Sequence, residues 1–295
     1  MRRILVGMDA LPVFFSPLMV AASGSFSPSA EKPAAVVASW QRLGVPLALH
    51  PPVAVTPEQL TLAHDGAFVR RVLAGREDNG FGNRSPEVAA ALPYTTGALL
   101  SAARHALREG GVAVAPCSGF HHAGFRTAQG FCTFNGLMVT AAVLHAEGLP
   151  RIGILDFDHH YGNGTDQIIE QLDAHGWVHH FSAGKVYDEP HHAPDFFRRL
   201  PDICAAFSDC DVVLYQAGAD PHLDDPLGGW LSTEQLRERD ARVFDFFQRA
   251  QIPLAWDLAG GYQRDASGSI APVLAIHDNT LRECARAYAT RAKVP

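Results

Sequence analysis

The chain has 295 residues, is 47% hydrophobic and carries a formal charge of -7. That length supports one large α/β domain or two small ones, and the acidic balance gives no electrostatic footprint for a nucleic-acid partner. Five cysteines, an odd number with no Cys-x-x-Cys spacing, argue against a disulfide framework or a thiolate metal site and point to buried free thiols in a reducing compartment such as the cytoplasm. No apolar run is long enough to cross a membrane, so no membrane partner is expected.

Taken in order, the chain opens on Met1-Arg2-Arg3 and an apolar stretch ending at Ala21-Ala22-Ser23, the outline of a secretory leader. Asp9, Pro12 and Pro17 interrupt that outline, and residues 4–6 read as a first strand. Residues 75–86 form a polar loop, a spacer or a site rim. The Ala- and Leu-rich segment 87–108 reads as a helix broken or kinked at Pro93. Residues 112–115 then read as a strand, and 135–147 as a helix opened by an Asn cap. Further strands follow at 152–157, 212–216 and 254–258, with helices over 233–250 and from Ala271 onward. Strands without polar alternation, separated by helices, indicate a mainly parallel sheet covered on both faces. No internal boundary is visible, so residues 1–295 are taken as a single α/β domain.

In open parallel sheets ligands bind beyond the carboxyl ends of the strands. Four strands deliver polar residues there: 112–115 leads to His121-His122, 152–157 to Asp158 and His160, 212–216 to Asp220, and 254–258 to Gly260-Gly261-Tyr262. Strand alternation turns Asp156, Asp158 and His160 to one face and Phe157 and His159 to the other. Asp158, His160 and Asp220 are expected to bind one metal ion, since two carboxylates and an imidazole leave a tetrahedral ion one open position. Ligand type favours zinc, with iron(II), cobalt and manganese also admitted. His121 and His122, flanked by glycines, suit a general acid–base pair. Asp156 is placed to fix one imidazole and Asn163 to orient the other. Tyr262, on its Gly-Gly turn, is suited to donate to a developing oxyanion. Gly130, Phe131 and Cys132 suit a channel wall. His179, His180, His191 and His192 read as surface or rim residues, and Phe196-Phe197-Arg198-Arg199 as the start of an amphipathic helix.

Five segments stand out together: Ser-Gly-Phe-His-His-Ala at 118–123, Gly-Phe-Cys-Thr-Phe-Asn at 130–135, Asp-Phe-Asp-His-His-Tyr-Gly-Asn-Gly-Thr at 156–165, Ala-Gly-Ala-Asp at 217–220 with Asp-Pro-Leu-Gly-Gly at 225–229, and Gly-Gly-Tyr at 260–262. In this order they resemble the histone deacetylase family of the arginase–deacetylase superfamily. The resemblance implies a single α/β domain and a zinc-dependent hydrolase that removes acyl groups from amines, most often acetyl from lysine. By position it implies that Asp158, His160 and Asp220 hold the zinc, that Asp156 partners His121 and Asn163 partners His122, and that Tyr262 polarises the acyl carbonyl. It implies a substrate tunnel along Gly130, Phe131 and Leu227, an opposite aromatic wall near Val186 or Tyr187, and a rim at Phe81 and Asn83. Lys32 is the nearest match to the family's N-terminal arginine.

The chain departs from the family pattern in places. His159 takes an apolar position and Tyr161 that of a second histidine. The serine of the family's potassium site has no counterpart at 177–179, which leaves a potassium ion open. Asn83 lies where the family has a peptide-gripping aspartate. The expected substrate is an acyl-lysine, or else a small acylated amine such as an acetylpolyamine. A two-manganese, arginase-like ureohydrolase would need more bridging aspartates, and Tyr161 and Asn163 stand in their place. A non-catalytic binding module is opposed by the complete set of Asp158, His160, Asp220, His122 and Tyr262. Acyl length and oligomeric state stay open.

Overall fold

A computed structural model describes residues 10–288, so the expected strand at residues 4–6 lies outside the described residues. Along the chain come β1 (Leu11–Phe14), α1 (Lys32–Arg42), β2 (Leu47–His50), α2 (Pro57–Leu60), α3 (Gly66–Leu73), α4 (Pro86–Glu109), β3 (Val112–Ala115), α5 (Gly136–Ala146) and β4 (Ile152–Asp156). They are followed by α6 (Asn163–Gln171), β5 (Val178–Ser182), α7 (Ala193–Ala205), β6 (Val212–Gly218), α8 (Thr233–Ala250), β7 (Leu254–Ala259) and α9 (Ala271–Tyr288). The strands form one all-parallel sheet in the order β2-β1-β3-β7-β6-β4-β5.

Both faces of the sheet are covered, which is why its central strands lack polar alternation. Val114, Leu155, Val213, Tyr215 and Trp256 face a core shared with α1, α7, α8 and α9. Ala113, Ile154, Leu214 and Ala255 face a second core shared with α2 to α6. Caps set the helix ends as their chemistry predicts. The Asn135 carboxamide accepts from the Met138 N–H to open α5, and Ser232 and Gln235 form a reciprocal capping box on α8. The expected break at Pro93 is absent, because α4 runs through it. A proline in a helix interior costs about 3 kcal/mol. Burying two leucines such as Leu99 and Leu100 on that helix offsets it at about 1.5–3 kcal/mol each.

Strands β3, β7, β6 and β4 stand side by side in mid-sheet, so the loops after them meet on one rim. Their last shared layer runs Ala115, Asp257, Gln216 and Asp156, in register across the four strands. The strand expected over 152–157 ends at Asp156. Asp158 and His160 therefore lie beyond it, and pleat alternation is not what orients them.

Candidate active site

Asp158, His160 and Asp220 converge, each offering a ligand atom within 4.8 Å of the others. His160 Nδ1 lies 3.2 Å from Asp158 Oδ1 and 3.1 Å from Asp220 Oδ2. A tetrahedral ion with bonds of about 2.0–2.1 Å separates its ligands by roughly 3.3 Å, so the donor spacing fits. Backbone bonds build this arrangement in place of a strand. The Asp158 N–H donates to Asp156 Oδ1 (3.1 Å), the His160 N–H to Asp158 Oδ1 (2.8 Å) and the His159 N–H to Asp220 Oδ1 (3.1 Å). Gly260, at φ +49°, lets the β7 loop pass, since a Cβ there would come within 2.1 Å of the Asp220 carboxyl carbon. Asp158 and Asp220 are buried. Burial and the Asp158 charge push the Asp220 carboxyl up to about 7. Burial pulls the His160 imidazole down, but the two carboxylates outweigh it and lift it to about 11. Two buried acids drawing a proton onto their imidazole are a site that favours a cation.

The expected histidine partners are met. His121 Nδ1–H donates to Asp156 Oδ2 at 2.9 Å and His122 Nδ1–H to Asn163 Oδ1 at 2.6 Å. Asp156 is itself fixed by Gln216 Nε2 at 2.9 Å. The two imidazoles differ sharply. Burial lowers His121, but Asp158 and Asp156 lift it to about 9. Burial and the neighbouring His121 push His122 down to about 4. At neutral pH His122 thus keeps a free lone pair on Nε2, while His121 is charged. Gly130, at φ +57°, borders the His122 ring, where a Cβ would come within 2.6 Å.

Tyr262 is buried beside this centre, its backbone N–H held by Asp225 Oδ2 at 2.7 Å. Burial, then the charges of Asp220 and Asp158, raise its phenol well above the usual range, so it stays a proton donor. Lys32 is buried under the same loop and donates to Gly260 O at 2.5 Å. Burial lowers its amine to about 8 against the pull of Asp220 and Asp158. Phe26, Tyr262, Phe131 and Phe81 form a row of rings with centroids 6.2, 5.7 and 6.1 Å apart. Phe131 sits at φ +63°, a strained conformation for a non-glycine residue. A shallow cleft runs beside Phe131, lined also by Met19, Ser29, Phe81, Ser118 and Thr133. Its lining includes none of the metal-type triad.

Other expected positions fall differently. Tyr187 does not face the site: it is buried among Phe196 and Trp230, with centroids 5.3 and 5.8 Å away, while neighbouring Val186 is exposed. The turn after Gly184, a residue packed on His159 and His160, sends Val186 outward and Tyr187 into the core. Leu227 is 40% exposed on the Asp225 turn. Asn83 is engaged internally, donating to Ser23 O and accepting from Asn79 Nδ2 and the Ser85 N–H, so it pins the loop carrying Phe26. The polar loop at 75–86 docks on the site wall, with the Phe131 N–H donating to Gly80 O. His180 is not a surface residue. It lies on β5 with its side chain 4% exposed and its Nδ1 2.6 Å from Asp166 Oδ1, while Lys185 and the Tyr161 hydroxyl donate to Asp166 Oδ2. His191 is exposed, as expected. Cys132 is buried, and all five cysteines are free. Gln216, Phe26 and Arg239 did not stand out in the sequence. Gln216 carried a signal, as a polar residue inside an apolar strand, and Arg239 another, in its helical spacing from Leu236 and Val243.

A family model described as histone deacetylase domain matches residues 29–187 and 187–275. The chain belongs to the histone deacetylase family. Every residue of the site from Lys32 to Tyr262 lies inside the matched segments. Histone deacetylase 2 of Arabidopsis thaliana is 28% identical over 184 residues, 55% of this chain and 47% of that protein. The acetoin utilization protein AcuC of Bacillus subtilis is 25% identical over 251 residues, 71% of this chain and 65% of that protein. The chain thus spans about half to just under two thirds of these family members. Among solved structures, the HD domain of HDA15 superposes with a TM-score of 0.75 at 22% identity, over 97% of this chain and 90% of that one. Acetylpolyamine aminohydrolase from Burkholderia pseudomallei superposes with a TM-score of 0.71 at 17% identity, over 94% and 99%. Both likenesses show the shared fold.

Proposed function

We propose that the protein is a zinc-dependent amidohydrolase that removes an acetyl or other acyl group from an amine, with acyl-lysine the foremost substrate. The observation that carries this reading is the meeting of Asp158, His160 and Asp220 with a neutral His122 and the phenol of Tyr262 on one rim. A zinc ion held by the triad would supply a Lewis acid for the acyl oxygen and a water whose pKa is lowered toward roughly 7. His122 Nε2 takes the proton of the attacking water, with Asn163 holding the ring by its other nitrogen. His121, braced by Asp156, packs against the His122 ring and holds it from the other side. The Tyr262 hydroxyl donates to the oxyanion that forms on the acyl carbon. The amide C–N bond then breaks, His122 returns its proton to the amine nitrogen, and a carboxylate and a free amine leave.

A small acetylated amine is the second reading. It is favoured by the engagement of Asn83 inside the protein, which leaves no side-chain grip for a peptide backbone at that position. A two-manganese site is disfavoured, because the described residues hold one group of metal-type donors, and Tyr161 and Asn163 are committed to Asp166 and His122. The test is a rate panel with zinc-loaded protein: acetyl- to long-acyl-lysine peptides and acetylpolyamines, with and without a hydroxamate chelator. Hydroxamate-sensitive release of a carboxylate is expected; no hydrolysis of any amide despite bound zinc would leave a binding module as the better reading.

A further inference from the structure

Arg239 lies on the core-facing stripe of α8, between Leu236 and Val243, and is fully buried. A buried guanidinium is a poor source of stability, since a well-packed apolar residue often serves as well or better. Its bonds give it another use. Nε donates to Asp240 Oδ1 at 2.8 Å, and Asp240 is fixed in turn by the hydroxyls of Tyr215 and Thr280. The guanidinium is thereby locked, and Nη1 donates to Gly218 O at 2.8 Å and Phe157 O at 3.2 Å.

Those two carbonyls are the stems of the site. Phe157 immediately precedes Asp158, and Gly218 stands two residues before Asp220. The stems are pressed together, since a Cβ on Gly218 would come within 2.4 Å of Phe157 O and 2.6 Å of Asp158 Cα. Two carbonyl oxygens converging on one point repel unless a donor lies between them, and charge-assisted donors are the strong ones. We propose that Arg239 is a positioning residue for the metal: by clamping the Phe157 and Gly218 carbonyls it sets the separation of Asp158 and Asp220, and so the affinity for zinc. The inference rests on the metal-centre reading given above.

The test measures zinc affinity of the full chain by competition with a chromogenic chelator, alongside apoprotein melting. The variants are Arg239→Met, Arg239→Lys and Val243→Ala, the last a cavity mutation on the same helix stripe with no hydrogen bond to offer either carbonyl. Outer partners of metal ligands typically contribute about 10- to 100-fold in affinity. Arg239→Met is expected to lose about that much. Arg239→Lys, able to reach one carbonyl, should recover part of it, and Val243→Ala should melt earlier with its zinc affinity unchanged. If Arg239→Met does not fold, Arg239→Lys against Val243→Ala decides. Wild-type affinity in a folded Arg239 variant, or an equal loss in Val243→Ala at matched stability, would overturn the proposal alone. A wild-type chain that binds no zinc would overturn the site reading as well.

Discussion

His64 offers a stability test remote from the metal. The side chain is buried, its Nδ1–H donating to Gly124 O at 2.9 Å and its Nε2 accepting the Asn135 N–H at 2.9 Å. Asn135 caps α5 and donates to Ala123 O and Thr165 Oγ1, so His64 braces the loop that carries His121 and His122. Protonating Nε2 would set a donor against the Asn135 N–H. Burial, only partly opposed by the Gly124 carbonyl, lowers the imidazole from 6.5 to about 4. Above pH 6.5 neither the folded nor the unfolded chain binds this proton, and stability is unaffected. Between 6.5 and about 4 only the unfolded chain binds it, so stability falls as pH falls. At ~1.4 kcal/mol per pH unit, the loss is about 2 kcal/mol at pH 5 and about 3 kcal/mol by pH 4. Urea unfolding of the metal-free protein at pH 7, 6 and 5, compared with His64→Gln, isolates this contribution. Wild type is expected to lose about 2 kcal/mol more than the variant between pH 7 and 5. Parallel losses would refute the argument.

Three further outcomes follow from the site. Tyr262→Phe removes the oxyanion donor and should lower kcat by about 10²- to 10³-fold with zinc retained; unchanged turnover would remove Tyr262 from the mechanism. Gly130→Ala drives a methyl group onto the His122 ring, and displacing a catalytic group by about 1 Å costs up to about 100-fold in rate. Single-turnover kinetics should show that loss without a change in metal content, and a wild-type rate would contradict it. Phe26→Ala removes the half-exposed ring stacked on Tyr262, an aromatic contact of about 1 kcal/mol, so the phenol loses that support and kcat should fall about fivefold with zinc retained. A wild-type kcat would show that Phe26 does not position Tyr262.

The rim was legible because apolar runs ending in acids and histidines announce the carboxyl ends of strands. β3, β4, β6 and β7 are such runs, and the sheet order makes them neighbours. His160 was chosen by pleat alternation, yet the strand stops at Asp156, and the backbone bonds from His159 and His160 to Asp220 and Asp158 bring the triad together. The strands β1, β2 and β5 escaped because they carry Pro12, His50 and His179-His180, residues that read as loop or surface. Tyr187 misled because a one-residue uncertainty in a turn exchanges an inward side chain for an outward one. Arg239 was hidden in Arg-Glu-Arg-Asp, a charge run that reads as a solvent face, although its spacing from Leu236 and Val243 puts it on the apolar stripe. Its partners Phe157 and Gly218 are distant in sequence and are joined to it only through the folded sheet.

Elemental analysis of the purified, extensively dialysed chain bears most directly on the three-residue centre. One zinc per wild-type chain, and none in Asp220→Ala that remains folded by circular dichroism, is the outcome expected here. Full zinc content in that variant, or two manganese ions per wild-type chain, would contradict it.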